Sequence, residues 1–317
     1  MDCVWNYSDA TEFMQRTAKQ AMPPLIISVA VTGGGVGKET NPNIPETPEE
    51  QAQHTLDAYN AGASAVHIHA RTENGDDCTA DPARFLDANR RIRAKCPDII
   101  IGNTTAGGLF IPRDQCIKIL DANPEMCSIN MGPILAGGRL KKRNPPLKGR
   151  TKDEEVDWIF PITAADTETI AKKAIENNIK AEMEVHNTSM FFTVNNLIKK
   201  NLVEKPYWIQ LIFSSTHELP TLPSFLSAVN ALPHDSMFSV IGIGAFQLPL
   251  LMMSIIMGGH VRVGMEDNIF YRKGEMAKSN AQFVERIVRI SRELGREIAT
   301  PAQAREMIGI SATPKKY

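Results

Sequence analysis

The sequence has no apolar run long enough to cross a bilayer. The longest, residues 248–258, falls well short of the ~20 residues a spanning helix needs. Neither charge sign is in excess: 35 Lys and Arg against 36 Asp and Glu leave a formal net charge of −1. That excludes the basic surface expected of a nucleic-acid or membrane-surface protein. The five cysteines, Cys3, Cys78, Cys96, Cys116 and Cys127, are an odd number and include no Cys-x-x-Cys pair. A disulfide framework is excluded, and thiols kept reduced in a cytoplasm are expected. The opening "MDCVWNYSDATEF" has neither the basic start nor the apolar stretch of a secretion signal. Low-complexity segments, short-period repeats and linkers are missing as well. What remains is a soluble, cytoplasmic protein with small-molecule chemistry rather than a nucleic-acid or membrane partner.

With 43% hydrophobic and 22% charged residues the composition is that of an ordinary globular chain. Its dominant pattern is a short apolar strand, a turn and an amphipathic helix, repeated. Strands are expected at 25–30, 65–70, 99–103, 126–130, 180–185, 208–213, 238–242 and 260–266. Helix starts are explicit: Thr47, Pro48 and Glu50 form a capping box, and Thr300, Pro301 and Gln303 repeat it near the C-terminus. Alternating strands and helices argue for a parallel sheet, and eight pairs argue for closure into a (β/α)8 TIM barrel. An open doubly wound sheet is the alternative, but no G-x-G-x-x-G follows the first strand. The expected organisation is an N-terminal extension over 1–22 and a single α/β barrel domain over 23–317. A polar, basic insertion, "GRLKKRNPPLKGRTKDEEV" (138–156), follows the fourth strand on the face where barrel active sites form.

The second strand, in "AVHIHART", carries His67 and His69 at alternate positions, so both imidazoles share one face. On the eighth, "HVRVGMEDN", alternation places Arg262 and Glu266 together and inward. Strand ends surround one mouth in a closed barrel, so Glu266 can complete a His2Glu site with an open fourth position. The ligand types suit Zn²⁺ and also Fe(II). The plain alternative pairs Glu266 with Arg262 and leaves both histidines as satisfied core residues.

"AVHIHART", "GGHVRVGMEDNIFYRKGEMAKSNAQFVERIVRI" and "ELGREIATPAQAREMIGI" resemble the β-keto acid cleavage enzyme family over roughly 24–310. Further matches are "KETNPNIPETPEE", "CPDIIIGNTTAGG", "NPEMCSIN", "AEMEV" and "GIGAFQLP". The resemblance implies a zinc-bearing barrel that condenses a β-keto acid with acetyl-CoA. The products are a new CoA ester and acetoacetate. It implies His67, His69 and Glu266 as metal ligands, and Asp267, Arg262 and Glu184 as catalytic groups. Thr104, Gly107 and Ser128 match substrate-contacting positions, and a homo-oligomer, a tetramer, is expected. Glu184 is open to a second role as the partner of a ligand histidine.

Two departures bear on the substrate. Gly35 stands where a relative acting on a 3-keto-5-amino acid carries a glutamate, and Ala245-Phe246 replaces the usual Arg-His. Both remove polar groups, which favours a neutral tail on the keto acid. The basic residues Arg139, Lys141, Lys142, Arg143, Lys148 and Arg150 are open to two readings: contacts to the phosphates of acetyl-CoA, or a solvated loop or subunit contact. "QLPLLMMSIIMGG" is expected to be buried in the fold or at an oligomer contact. An amidohydrolase-like metallohydrolase is the alternative function, since His-x-His on a barrel strand opens those sites too. The later strands here supply carboxylates instead of the histidines and aspartate that such a site draws on.

Overall fold

Eight short strands close into one parallel barrel, as a computed structural model that describes residues 3–108 and 111–317 shows. They begin with β1 (Ile27–Ala30), β2 (Ala65–Ile68), β3 (Ile100–Asn103) and β4 (Met126–Asn130). A hairpin of β5 (Ile134–Leu140) and β6 (Glu154–Phe160) intervenes. The barrel resumes with β7 (Lys180–Val185), β8 (Tyr207–Phe213), β9 (Ser236–Gly242) and β10 (His260–Val263). Neighbours pair in chain order and β10 returns to β1, which removes the sheet edge. A small ribbon, β11 (Phe270–Arg272) and β12 (Glu275–Met276), follows β10.

The helix Pro48–Ala61 carries the capping box at Thr47 and Glu50 and stops at Gly62 in the left-handed conformation. The helix Pro301–Ile308 repeats both devices, with Thr300, Gln303 and Gly309. Its Ala304, Met307 and Ile308 pack on Ile26, Ala65, Ile100, Met126, Trp208 and Met237, a layer that fills the lower barrel. Arg305 from this helix and Arg93 each reach Glu125 at 2.7 Å beneath the barrel, so this end is built for stability. Ahead of β1, Trp5 and Tyr7 are buried, and Tyr7 meets the edge of Phe238 at 4.7 Å.

Above the apolar layer the inward positions turn polar: His67, Ser128, Glu182, Gln210, Ser239 and Arg262 are all buried. Burying so many polar groups is costly unless they serve one another or a ligand. Their crowding toward the C-terminal strand ends locates the site. Among the described residues no helix is long and apolar enough to cross a membrane.

The insertion after β4 differs from the expected loop. β5 and β6 pair antiparallel from Ile134↔Phe160 to Leu140↔Glu154. Neither strand has a buried face, so no apolar alternation announces them in the sequence.

Candidate active site

His67 and His69 stand at the mouth with ring centroids 5.2 Å apart. Their Nε2 atoms lie 3.8 and 3.5 Å from Glu266 Oε1. One donor atom from each of the three residues falls within 4.8 Å of the others. Two donors on one tetrahedral zinc are roughly 3.4 Å apart, so this N2O set fits a divalent ion. The other Glu266 oxygen, Oε2, is buried without a hydrogen-bond partner, which is costly for a carboxylate that has nothing further to bind.

Glu266 arrives here by a different route from the one its spacing suggests. The eighth strand ends at Val263 and does not continue to 266. Gly264 has φ +141°, and a Cβ there would collide with the Ala30 carbonyl. The chain then turns, with the amides of Asp267 and Asn268 donating to Gly264 O at 3.3 and 3.1 Å. Strict strand alternation would send Glu266 and Asp267 to opposite faces. The turn instead aims both into the mouth. Gly33 leaves the room: a Cβ built on it would stand 2.5 Å from Glu266 Cγ.

Arg262 gathers the acids. Its Nε and Nη2 donate to the two oxygens of Asp267 at 3.1 and 2.8 Å, and Nη2 also reaches Glu266 Oε1 at 2.5 Å. Nη1 lies 3.5 Å from Glu184 Oε1. Burial pushes Asp267 up to about 6 although Arg262 pulls the other way. Burial likewise pushes Glu184 up to about 8, again against Arg262. Burial lowers the Arg262 pKa, but Asp267 and Glu266 outweigh it and hold the guanidinium firmly charged. One cation among three carboxylates therefore leaves Glu184 as the group that stays protonated near neutrality.

Sequence reasoning missed three neighbours. Glu182, inward and two residues before Glu184 in "AEMEV", has Oε2 3.9 Å from His67 Nδ1. Trp208 Nε1 and Gln210 Nε2 fix its other oxygen at 2.9 and 2.6 Å. Glu182 thus faces His67 from beyond hydrogen-bond distance, His67 Nδ1 being buried without a hydrogen-bond partner, and Glu184 faces Arg262. The Glu-x-Glu alternation carried this signal. Cys78 Sγ lies 3.4 Å from His69 Nδ1, and nothing in the local sequence announces it. His186 Nε2 meets Asn130 Oδ1 at 2.8 Å, a partner 56 positions away.

The residues matched to substrate contacts divide. Thr104 is buried and its Oγ1 accepts from the Ala106 amide at 3.0 Å. Ser128 Oγ is buried with no hydrogen-bond partner. Gly107, at φ +74°, sits against Cys116 behind a wall whose surface is formed by Ala106 and Gly108. The basic insertion also divides. Arg143 is buried, reaching Glu39 at 2.6 Å and Glu46 at 2.7 Å, and Arg150 reaches Glu39 at 3.1 Å. Arg139 pairs with Asp153 at 2.5 Å. These three arginines bind the hairpin to itself and to the loop after β1. Lys141, Lys142 and Lys148 are solvated.

Two clefts open from the cluster. One, of about 430 Å³, reaches His69 beneath the hairpin and is walled by Gly35, Val36, Leu135, Val156 and Phe160. The other, of about 1140 Å³, begins at Glu266 and Asp267 and passes under the ribbon β11–β12. Phe246 is exposed and lines neither, so its place in the motif gives the pocket no apolar surface. In the helix Gln247–Ile256, Leu250, Leu251 and Ile255 are buried while Met252 and Ile256 face solvent.

Comparison with known proteins adds chemistry to this geometry. The profile of the family described as beta-keto acid cleavage enzyme matches residues 24–310. The chain is 36% identical over 291 residues to the 3-keto-5-aminohexanoate cleavage enzyme of Acetoanaerobium sticklandii, covering 92% of this chain and 100% of that one. It is 32% identical over 291 residues to the 3-oxoadipate:acetyl-CoA acetyltransferase of Cupriavidus necator, covering 90% of this chain and 95% of that one. Among solved structures, ObcA in binary complex with oxaloacetate superposes with a TM-score of 0.66 at 16% identity. That match covers 85% of this chain and 68% of ObcA, and shows a shared fold.

Proposed function

The chain belongs to the beta-keto acid cleavage enzyme family, and on that premise we propose that its mouth exchanges the acyl group of a β-keto acid with acetyl-CoA. It is an acyltransferase that breaks a C–C bond. The observation that carries the reading to this site is the convergence of His67, His69 and Glu266 beside the Arg262–Asp267 pair. An amidohydrolase-like hydrolysis would use later histidines where this barrel presents Glu182 and Glu184.

The exchange must join C2 of the keto acid to the acetyl carbon, expel the thiolate, and break the C2–C3 bond as the thiolate takes the acyl group. His67, His69 and Glu266 would hold a divalent ion such as Zn²⁺, which when bound would supply Lewis-acid stabilisation of charge developing on the keto oxygen. Asp267, with its pKa near neutrality, takes the C2 proton and returns it to the acetoacetate formed. Glu184 keeps its proton at neutral pH and can donate a hydrogen bond, so the two acids hold opposite roles. Arg262 fixes Asp267 by a two-point fork that a lysine cannot reproduce. Glu182, held by Trp208 and Gln210, is the carboxylate placed to take a hydrogen bond from His67 Nδ1 if the two close from 3.9 Å. Thr104 and the unpartnered Ser128 hydroxyl are the neutral groups available to the substrate carboxylate.

The smaller cleft receives the keto-acid tail. Its walls are largely apolar, and its one arginine, Arg139, is already paired with Asp153. A neutral tail fits, because a buried ammonium or carboxylate would lose hydration that nothing here restores. The exposed Leu135, Trp158 and Ile159 on the hairpin support association of copies, and the five free, buried cysteines support a reducing cytoplasm. Sedimentation of the purified protein tests the oligomer. The function is tested by incubating the enzyme with acetyl-CoA and a panel of β-keto acids. Formation of acetoacetate with an equal amount of a new CoA ester is the expected result, and hydrolysis to free CoA without the ester would overturn it.

A further inference from the structure

The larger cleft has a charge distribution that the proposed chemistry does not by itself require. It starts at Glu266 and Asp267, both already paired with Arg262, and its middle is walled by Val36, Leu248, Ile269 and Ile290. Its outer rim carries Arg272, Lys273, Arg286 and Arg289. Of these, Arg272 is paired with Glu275 at 2.6 Å. Lys273, Arg286 and Arg289 have no carboxylate partner among the described residues. On a chain with a formal net charge of −1, three uncompensated cations on one rim form a site for a polyanion.

Two of the three are also held in place. The Arg286 guanidinium lies 3.4 Å from the centroid of the Tyr271 ring and donates to Tyr271 O at 2.5 Å. Arg289 donates to the Tyr271 hydroxyl at 3.3 Å. Tyr271, on β11, therefore aligns two guanidinium groups before any ligand arrives, which lowers the entropy lost on binding. A reacting pair of acids, then an apolar channel, then a fixed cationic rim matches an acyl thioester with a long, mostly uncharged arm ending in phosphates. Resting on the reading that acetyl-CoA is the co-substrate, we infer that this cleft binds it, with Arg286, Arg289 and Lys273 receiving the phosphates of the nucleotide end. The solvated Lys141 and Lys142 of the hairpin, which line neither cleft, do not.

The test is binding of CoA to the whole protein by calorimetry, beside the KM for acetyl-CoA and for S-acetylpantetheine, which lacks the nucleotide. The variants are Lys273→Gln with Arg289→Gln, both at surface positions, and Lys141→Gln with Lys142→Gln as the contrast. The expected result is a tenfold or greater rise in the CoA Kd for the first pair and a shallower salt dependence. The ratio of the two KM values should collapse by a similar factor. Adenosine 3′,5′-bisphosphate should compete for the wild-type site and inorganic phosphate should not, which separates a coenzyme site from a general anion patch. An unchanged Kd in the first pair, or a weakened one only in the second, would overturn the assignment while wild-type ester formation kept the acetyl-CoA reading intact. A wild-type enzyme that neither binds CoA nor forms a CoA ester would remove both.

Discussion

Arg262 holds both oxygens of Asp267, at 3.1 and 2.8 Å, from a strand that ends one residue later. The strand fixes the guanidinium and the following turn fixes the carboxylate, so the orientation of the acid depends on the planar fork between them.

Arg262→Lys tests that fork. A point ammonium cannot serve both Asp267 oxygens and Glu266 together. The expected outcome is a fall in kcat of about a hundredfold, of the size seen when a preorganised donor is lost. Metal content per chain should stay at the wild-type value. Steady-state kinetics with elemental analysis on the same sample checks both, and a near-native kcat would exclude the positioning role.

Gly33→Ala tests the proposed metal site of His67, His69 and Glu266 from a residue that supplies no ligand. Its new methyl group would stand 2.5 Å from Glu266 Cγ, whereas a Cβ on Gly35 meets nothing within 4 Å. Displacing one of three ligands should weaken metal affinity by tenfold or more, the size expected when a ligand's support is disturbed. Gly35→Ala should retain its metal. Chelator competition on the two variants separates crowding at Glu266 from any general effect of removing a glycine from this loop.

The barrel is legible in the sequence because its strands are buried on both sides and bounded by capping and turn residues that act locally. His67, His69 and Arg262 follow from period-two alternation alone. The inward aim of Asp267 does not, because it depends on a Gly264 turn set by the Ala30 carbonyl on another strand. The hairpin stays hidden since neither of its faces is buried. Arg143 shows the same limit: a basic run reads as a solvated patch until Glu39 and Glu46, about a hundred positions earlier, are folded against it. The Glu-x-Glu spacing places Glu182 inward, but which carboxylate faces His67 depends on barrel register.

Lys180 provides a pH-dependent stability test away from the mouth. It is buried at the start of β7, its Nζ donates to Glu204 O at 3.0 Å and to no other acceptor among the described residues, and burial lowers its pKa to about 8 from 10.5. Between those values the unfolded chain holds a proton that the folded chain lacks, so this residue makes stability rise with pH from about 8 to 10.5. Below about 8 the folded protein carries the whole cost of the buried charge. Lys180→Met should therefore stabilise the protein at pH 7 by about 1–3 kcal/mol, with the gain shrinking as pH climbs through that window. Urea unfolding at pH 7 and pH 10 measures it, and a variant less stable than wild type at pH 7 would show that the bond to Glu204 O outweighs desolvation.

Gly35→Glu asks whether the smaller cleft sets the tail specificity. Open space surrounds the position a side chain would take from Gly35, and the wall opposite is formed by Leu135, Val156 and Phe160. In the wild-type enzyme a neutral alkyl tail gains roughly 0.8 kcal/mol per buried methylene, while an ammonium meets no free counter-charge. A carboxylate introduced at 35 changes that balance by giving the ammonium a counter-charge. The expected outcome is a rise of tenfold or more in the ratio of kcat/KM for an amine-tailed β-keto acid over its alkyl isostere. The acetyl-CoA KM should stay put, because the larger cleft is untouched. If the wild type already prefers the cation by that margin, the neutral-tail assignment is wrong and an acid elsewhere in the cleft must serve it. If the ratio does not move in Gly35→Glu, the tail does not enter beneath the hairpin at all.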